Sequence, residues 1–191
     1  LDGLAVGGAA SWNPEGMEPA VFDQAWDALF FGDAEGGCAE ALRRLSRPAD
    51  RHATWMQFLE PLGKGELLEN LPLDEATHLT RRSEAAAEVF ENLQETGQGD
   101  ATINEELRHA CRMMAMLGEK AQLVHRLKQA AGGSHEELSE QQESFAGRLE
   151  KLFAEYVQLW MGRNKVSNLD DIREGIEALI GQCRRKAKGM K

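Results

Sequence analysis

Two Glu-x-x-His units, Glu75 to His78 and Glu106 to His109, are the residues whose types and spacing come closest to a metal site. Paired units of this kind hold the metal ions of di-iron carboxylate proteins when they lie on facing helices of a bundle. Each unit here lies near the N-terminal end of its own predicted helix. Consecutive antiparallel helices then separate the two histidines by about 20 Å. The spacing argues against a shared metal site, and we expect both histidines on solvated helix faces.

Other groups of reactive residue types fit structural roles better than catalytic ones. The segment 135–139, His-Glu-Glu-Leu-Ser, lacks the second histidine of the zinc-protease motif. Asp74 and Glu75 form an adjacent acid pair of the type that some glycosidases use, but they follow Pro72 at a predicted helix start, where the helix dipole favours acids. No Ser, His or Cys spacing indicates a catalytic triad. The sequence therefore predicts no catalytic residue, no metal ligand and no cofactor site.

The three cysteines, Cys38, Cys111 and Cys183, are widely spaced and form neither a C-x-x-C motif nor a zinc-binding pattern. Cys111 and Cys183 fall on apolar faces of predicted helices, so we expect them to be small buried hydrophobic residues. A disulfide between two of the three remains an open alternative.

The charge of the chain limits its partners. The formal net charge is −10, which argues against nucleic acid or an anionic membrane as a partner. No apolar run approaches the roughly 20 residues of a membrane-spanning helix. The one local exception is a basic C-terminal tail, which contains Arg184, Arg185, Lys186, Lys188 and Lys191. Cations are favourable at the end of a helix.

The first ten residues, LDGLAVGGAA, read as a short apolar strand, whereas the sequence from residue 18 onward reads as helix. A lone strand cannot satisfy its own backbone N–H and C=O groups, so it has to join a sheet. No later segment is a suitable partner for it. We therefore expect the strand to be the last one of a larger sheet, and this sequence to be the C-terminal piece of a larger protein.

Apolar spacing divides the rest of the chain into short helices over 18–60 and long helices over 73–191. Pro and Gly residues mark an irregular link between these two parts. Three long helices and a shorter one are predicted. The long ones are at about Leu73–Thr96, at about Ala101–Ala131, and from the cap Ser134 to the closing Gly162-Arg163-Asn164; the shorter one is Leu169–Arg185. Because short loops join long amphipathic helices, we expect neighbouring helices to be antiparallel.

Trp12 and Asn13 directly follow the predicted strand within the segment 1–17. In a (β/α)₈ barrel, the loops after the strands build the active-site face. A Trp side chain offers a flat apolar surface to a sugar ring, and an Asn side chain can bind hydroxyl groups. We therefore take Trp12 and Asn13 as the candidate substrate-binding residues. The alternative is that Trp12 packs against the barrel rim or the first helix.

Two stretches resemble a known enzyme family. The segment GLAVGGAASWNPEGMEPAVFDQAWDALFFG is similar to the end of the catalytic barrel in bacterial glycoside hydrolases related to β-N-acetylhexosaminidases. The shared features are a last strand, a Ser-Trp-Asn-Pro turn, a Phe-x-x-x-Trp pattern at Phe22 and Trp26, and a closing Phe31-Gly32. Leu159–Lys165 resembles the Leu-Trp-x-x-Arg-Asn-(Lys/Arg) signature of family 20, and a similar turn and helical tail occur in family 84.

The resemblance implies a retaining hydrolase that acts on β-linked N-acetylhexosamines by substrate-assisted catalysis. The acid pair of that reaction lies on earlier barrel strands and has no counterpart in this sequence. The implied partners are the catalytic barrel and, through it, the carbohydrate substrate. The expected fold is all-α: an antiparallel bundle of long helices, preceded by short helices and one residual strand of a (β/α)₈ barrel. A stand-alone helical-bundle module for protein interaction is the alternative.

Overall fold

The computed structural model describes residues 18–33, 36–46, 56–62, 71–129, 135–163 and 169–189. Within these ranges the regular secondary structure is entirely helical and no strand is present. The all-α prediction is therefore confirmed for this part of the chain. The predicted barrel strand, together with Trp12 and Asn13, lies outside the described residues.

The helices are labelled in chain order. They are α1 (Pro19–Trp26), which continues as a π-helical turn (Asp27–Phe31), α2 (Cys38–Ser46), α3 (Met56–Leu59), α4 (Leu73–Thr96), α5 (Ala101–Gln129), α6 (His135–Arg163) and α7 (Leu169–Ala187). The predicted bounds of α4 agree with the structure at both ends. Helix α7 continues two residues beyond its predicted end at Arg185.

The chain forms two compact units, and each unit combines two separate stretches of sequence. Unit 1 comprises Leu1–Arg47 and Arg82–Cys111, and unit 2 comprises Pro48–Arg81 and Arg112–Lys191. Helices α4 and α5 therefore contribute residues to both units.

The core of unit 1 forms where the first short helices meet apolar residues of α4 and α5. Its buried members are Phe31, Cys38, Ala41, Ala86, Ala87, Phe90, Leu93 and Cys111. Pro19 is the first residue of α1, a position where its missing N–H leaves no hydrogen bond unmade. The helical segment ends at Gly32, whose φ of +66° suits a residue without a Cβ atom.

The inward face of the first helix differs from the one its apolar spacing predicts, which consists of Val21, Phe22, Ala25, Trp26, Leu29 and Phe30. Leu29 is 88% exposed and Val21 is 61% exposed, whereas Phe31 and Asp27 are buried. For Leu29 and Phe31 the reason is the π-helical turn, in which the wider i→i+5 spacing rotates residues 27–31 relative to a continuous α-helix. Phe31 therefore occupies the core position that the α-helical pattern assigns to its neighbours.

In unit 2, contacts between side chains show that α5, α6 and α7 pack antiparallel. Three pairs join α5 to α6 at seven-residue intervals that run in opposite directions: Arg112 with Glu155, Glu119 with Arg148, and Arg126 with Gln141. Helix α7 runs back along α6, since Ser139 donates to the carbonyl of Ala187 near the start of α6 and the end of α7. The predicted antiparallel packing of long helices is confirmed for these elements.

The core of unit 2 is built from apolar residues at helical spacing on α4, α5, α6 and α7, together with residues of the segment around α3. Its larger buried members include Phe58, Leu62, Leu71, Leu79, Leu117, Phe145, Leu149, Ile176 and Leu179. Met116 is buried, and Met113 and Met114 are partly buried against the same core. The three methionines therefore fill space in the core, the role that the sequence favours over a partner groove or a cofactor site.

Candidate functional site

The closest grouping of reactive side chains in the described part of the chain is Asp27, Asp33 and Cys38 in unit 1. Asp27 begins the π-helical turn, Asp33 follows Gly32, and Cys38 is the first residue of α2. Their ligand-type atoms all lie within 4.8 Å of one another, and all three residues are buried. The fold thus brings two carboxylates and a thiol together inside the protein.

Both carboxylates accept hydrogen bonds from the backbone at the start of α2. Asp27 accepts from the N–H of Gly37 at 3.0 Å and from the N–H of Ala39 at 2.6 Å. Asp33 accepts from the N–H of Gly36 at 3.0 Å. The first N–H groups of a helix have no partner within the helix, and negative charge is stabilised there. Asp27 therefore caps α2 from a different helix.

The thiol of Cys38 is held in its neutral form. Its Sγ atom donates to Asp33 Oδ2 at 3.6 Å. Burial, and then the negative charges of Asp33 and Asp27, raise the pKa of Cys38 far above its usual range. Because the thiolate is the reactive form of cysteine, this thiol is a poor nucleophile near neutral pH.

Two carboxylates and a thiol could in principle bind a divalent cation. Here the two carboxylates already bind the N–H groups at the start of α2, where the helix dipole opposes a cation. The raised pKa of Cys38 also opposes the deprotonation that metal binding by a thiol requires. We therefore assign these three residues to anchoring α2 on the end of the first helix.

A second unusual arrangement lies in unit 2, where Lys120 of α5 is only 1% exposed. Its Nζ atom donates to the backbone carbonyls of Phe58, at 2.9 Å, and Glu60, at 2.5 Å. Burial lowers the pKa of Lys120 to about 8, and the negative charge of Glu60 acts in the opposite direction. A buried amine thus holds the segment Phe58–Leu62, which begins within α3.

Gln182 of α7 holds the end of the same segment through both backbone groups of Leu62. The amide N–H of Leu62 donates to Gln182 Oε1 at 2.7 Å, and Gln182 Nε2 donates to the Leu62 carbonyl at 3.0 Å. Lys186 of α7 also reaches this carbonyl, at 3.4 Å. The segment Phe58–Leu62 is therefore anchored on α5 by Lys120 and on α7 by Gln182.

Neither arrangement was predicted from the sequence, although the sequence contains an indication of each. Lys120 lies between Leu117 and Ala121 within the apolar stripe of α5, and Asp27 follows Trp26 in an apolar helix. Charged residues are usually exposed, so the pattern assigns them to the solvent side. Their positions on buried faces indicate that each has a partner outside its own helix.

The histidines of the two Glu-x-x-His units have different environments. His78 is exposed, as predicted. The prediction is wrong for His109, which is only 6% exposed. The reason is that this part of α5 contributes Leu107 and Cys111 to the core of unit 1, so His109 lies within a packed stretch of helix.

The other sequence-predicted residues are placed as follows. Asp74 and Glu75 lie in the first turn of α4, where the helix dipole stabilises acids. All three cysteines are buried and none forms a disulfide in the structure, which confirms the predicted buried role of Cys111 and Cys183. The structure does not place Trp12 or Asn13, so their substrate-binding role stays a prediction.

The chain matches no known family model, and a search of curated proteins and of solved structures likewise finds no match. Of the helices in the described ranges, none is long and apolar enough to cross a membrane. The resemblance to glycoside hydrolases therefore depends on the sequence motifs alone.

Proposed function

We propose that this chain is the C-terminal helical part of a glycoside hydrolase that acts on β-linked N-acetylhexosamines. In this proposal the helices support the catalytic barrel and contribute no catalytic acid. Trp12 and Asn13 lie at the sugar-binding rim. Two kinds of evidence support the proposal: the sequence motifs in residues 3–32 and 159–165, and the apolar surface of α1.

The apolar surface of α1 is the structural observation that carries the proposal. Val21 and Leu29 are mostly exposed, and Phe30 is 38% exposed. Beside them, Phe22, Trp26 and Phe30 form a row of stacked rings, with centroids 5.8 Å and 4.9 Å apart. A single exposed apolar side chain is common on protein surfaces. Several large ones on one short helix indicate a surface that another element covers.

In a (β/α)₈ barrel, the helix that follows a strand packs its apolar side onto the barrel. Helix α1 directly follows the segment that resembles a last strand and a Ser-Trp-Asn-Pro turn. The exposed side of α1 is therefore the side that barrel strands and neighbouring helices would cover. A stand-alone interaction module would use the same side to bind another protein, so a test has to separate the two functions.

The test uses the protein expressed from its complete gene and a chromogenic β-N-acetylglucosaminide. We expect hydrolysis by the complete product and none by the 191-residue chain alone. Leu29→Glu should lower the melting temperature of the complete product, because it places a charge in the covered surface. Gln24→Glu is the matched control, since Gln24 is exposed on the same helix and should leave the melting temperature unchanged.

Each result decides between the alternatives. An inactive complete product would overturn the hydrolase proposal, and activity of the 191-residue chain alone would overturn the supporting role. If Leu29→Glu has no more effect than Gln24→Glu in an active enzyme, then α1 does not cover the barrel. If Leu29→Glu instead abolishes binding of a separate protein without any hydrolase activity, the interaction module is the correct function.

A further inference from the structure

The segment Phe58–Leu62 is attached to the rest of unit 2 through a buried amine. We propose that this segment is a pH-sensitive latch, which docks more tightly when Lys120 is neutral and opens more readily when Lys120 is protonated. The proposal is independent of the hydrolase proposal, because it concerns only contacts within unit 2.

The geometry couples docking to the proton on Lys120. Phe58 and Leu62 are both buried, and the segment supplies two carbonyls that Lys120 binds. Opening of the segment removes both carbonyls and lets water replace them at the amine. A charged amine loses more hydration free energy on burial than a neutral one. A neutral amine still carries N–H groups that can donate to the same carbonyls, so docking favours the neutral form.

The charged groups around Lys120 modify this preference without reversing it. On the segment itself, Glu60 favours the protonated amine. Cys183 of α7 would act in the same direction only as a thiolate, and burial raises its own pKa to about 11. Lys186 of α7 and Glu143 of α6 act on Cys183 with opposite signs. Burial is the largest effect, and it lowers the pKa of Lys120 from its usual 10.5 to about 8. In the open segment the amine returns toward its usual pKa.

The sign of the pH dependence follows from these two pKa values. Between pH 8 and pH 10.5 the open form binds a proton that the docked form has lost. Docking therefore becomes stronger as the pH rises through this window, and weaker as the pH falls toward 8. The docking equilibrium should increase by about tenfold between pH 7 and pH 9, and change little below pH 7.

Hydrogen exchange at the Leu62 amide tests the latch, because this N–H donates to Gln182 only while the segment is docked. Rates would be measured by quenched-flow exchange and mass spectrometry of the full chain. Each rate is divided by the rate of an unstructured peptide at the same pH. We expect the resulting protection of Leu62 to rise by about tenfold from pH 7 to pH 9. The amide of Leu149, in the core of α6, should stay more strongly protected throughout.

Two variants test whether Lys120 is the group that titrates. Lys120→Met should abolish the pH dependence at Leu62. Lys186→Ala should keep it, because this change removes a contact with the Leu62 carbonyl but leaves the acceptor of the Leu62 N–H in place. Protection that does not change with pH in the unmodified chain would overturn the proposal. Equal protection of Leu62 and Leu149 would also overturn it, because the segment would then open only on global unfolding. A pH dependence that survives in Lys120→Met would overturn it as well, since the effect would then belong to another group.

Discussion

Gly118 of α5 lies directly against Thr80 of α4, with no room for a side chain between them. A Cβ atom on Gly118 would lie 2.8 Å from the carbonyl oxygen of Ala76 and 2.9 Å from the backbone nitrogen of Thr80, and closer still to Thr80 Oγ1. Thr80 Oγ1 is itself fixed, since it accepts a hydrogen bond from Gln122 at 2.9 Å. The two backbones of unit 2 therefore approach closely at a position that requires glycine.

We expect Gly118→Ala to lower the free energy of unfolding of the protein by about 1–3 kcal/mol, because the new methyl group forces α4 and α5 apart. Gly147→Ala is the matched control. Gly147 also lies within a long helix, but a Cβ atom there has no neighbour within 4 Å. Gly147→Ala should raise the free energy of unfolding by about 0.5–1 kcal/mol, the usual gain for Ala over Gly in a helix. Urea unfolding followed by circular dichroism measures both, and similar effects of the two changes would contradict the close approach.

Gly97 and Gly99 form a second matched pair, in the turn between α4 and α5. Both have left-handed backbones, with φ of +69° and +68°. A Cβ atom on Gly97 has no neighbour within 4 Å, whereas one on Gly99 would collide with the carbonyl group of Phe31. Gly97→Ala should cost about 1–2 kcal/mol from backbone strain alone, and Gly99→Ala about 1–3 kcal/mol more. Equal losses in urea unfolding would show that the contact with Phe31 does not form.

The long helices were predictable because local signals mark their ends. Pro72 precedes α4, acids occupy its first turn, and the sequence Gly97-Gln98-Gly99 ends it. The sequence before α5 predicts Asp100 or Thr102 as its cap, and the Oδ1 atom of Asp100 accepts hydrogen bonds from the N–H groups of Thr102 and Ile103. Each of these signals acts within a few residues, so a single sequence is enough to find it.

The buried polar anchors were not predictable, because their partners are distant in sequence. Lys120 binds carbonyls about 60 residues away, and Asp27 binds an N–H group 12 residues away across a turn. The π-helical turn was missed for a related reason: apolar spacing over five residues cannot distinguish it from an α-helix. These features depend on tertiary packing, and they include the buried carboxylate of Asp27 and the buried amine of Lys120.

The capping role of Asp27 predicts that an isosteric change is costly. Asp27→Asn keeps the shape of the side chain but replaces one acceptor oxygen with a donor, so the N–H of Gly37 or Ala39 loses its partner. We expect a loss of about 1–3 kcal/mol in the free energy of unfolding. Asp100→Asn is the control, because Asp100 is exposed and uses one oxygen for both hydrogen bonds. Since Asn and Asp are similar caps at an exposed helix start, that change should cost only a few tenths of a kcal/mol. If Asp27→Asn and Asp100→Asn lower the free energy of unfolding by similar amounts, then Asp27 does not act as a buried cap of α2.

The burial of Cys111 predicts a loss of stability at alkaline pH. Burial raises the pKa of this thiol from 9.0 to about 12. Above pH 9 the unfolded chain therefore releases a proton that the folded chain retains. The stability that the neutral buried thiol contributes is complete below pH 9, and it is lost as the pH rises toward 12.

Replacing Cys111 with Ala removes this titration, while the other ionisable groups, including Lys120, titrate in both proteins and cancel in the comparison. Between pH 8 and pH 10.5, the unmodified chain should lose about 2 kcal/mol more of its free energy of unfolding than Cys111→Ala. Urea unfolding in the presence of a reducing agent, at several pH values, measures the difference. The variant itself should be less stable at pH 8, because Ala leaves a small cavity beside Phe90 and its neighbours in the core of unit 1. Parallel pH profiles for the two proteins would mean that Cys111 ionises as readily in the folded chain as in the unfolded one, and that its burial does not persist in solution.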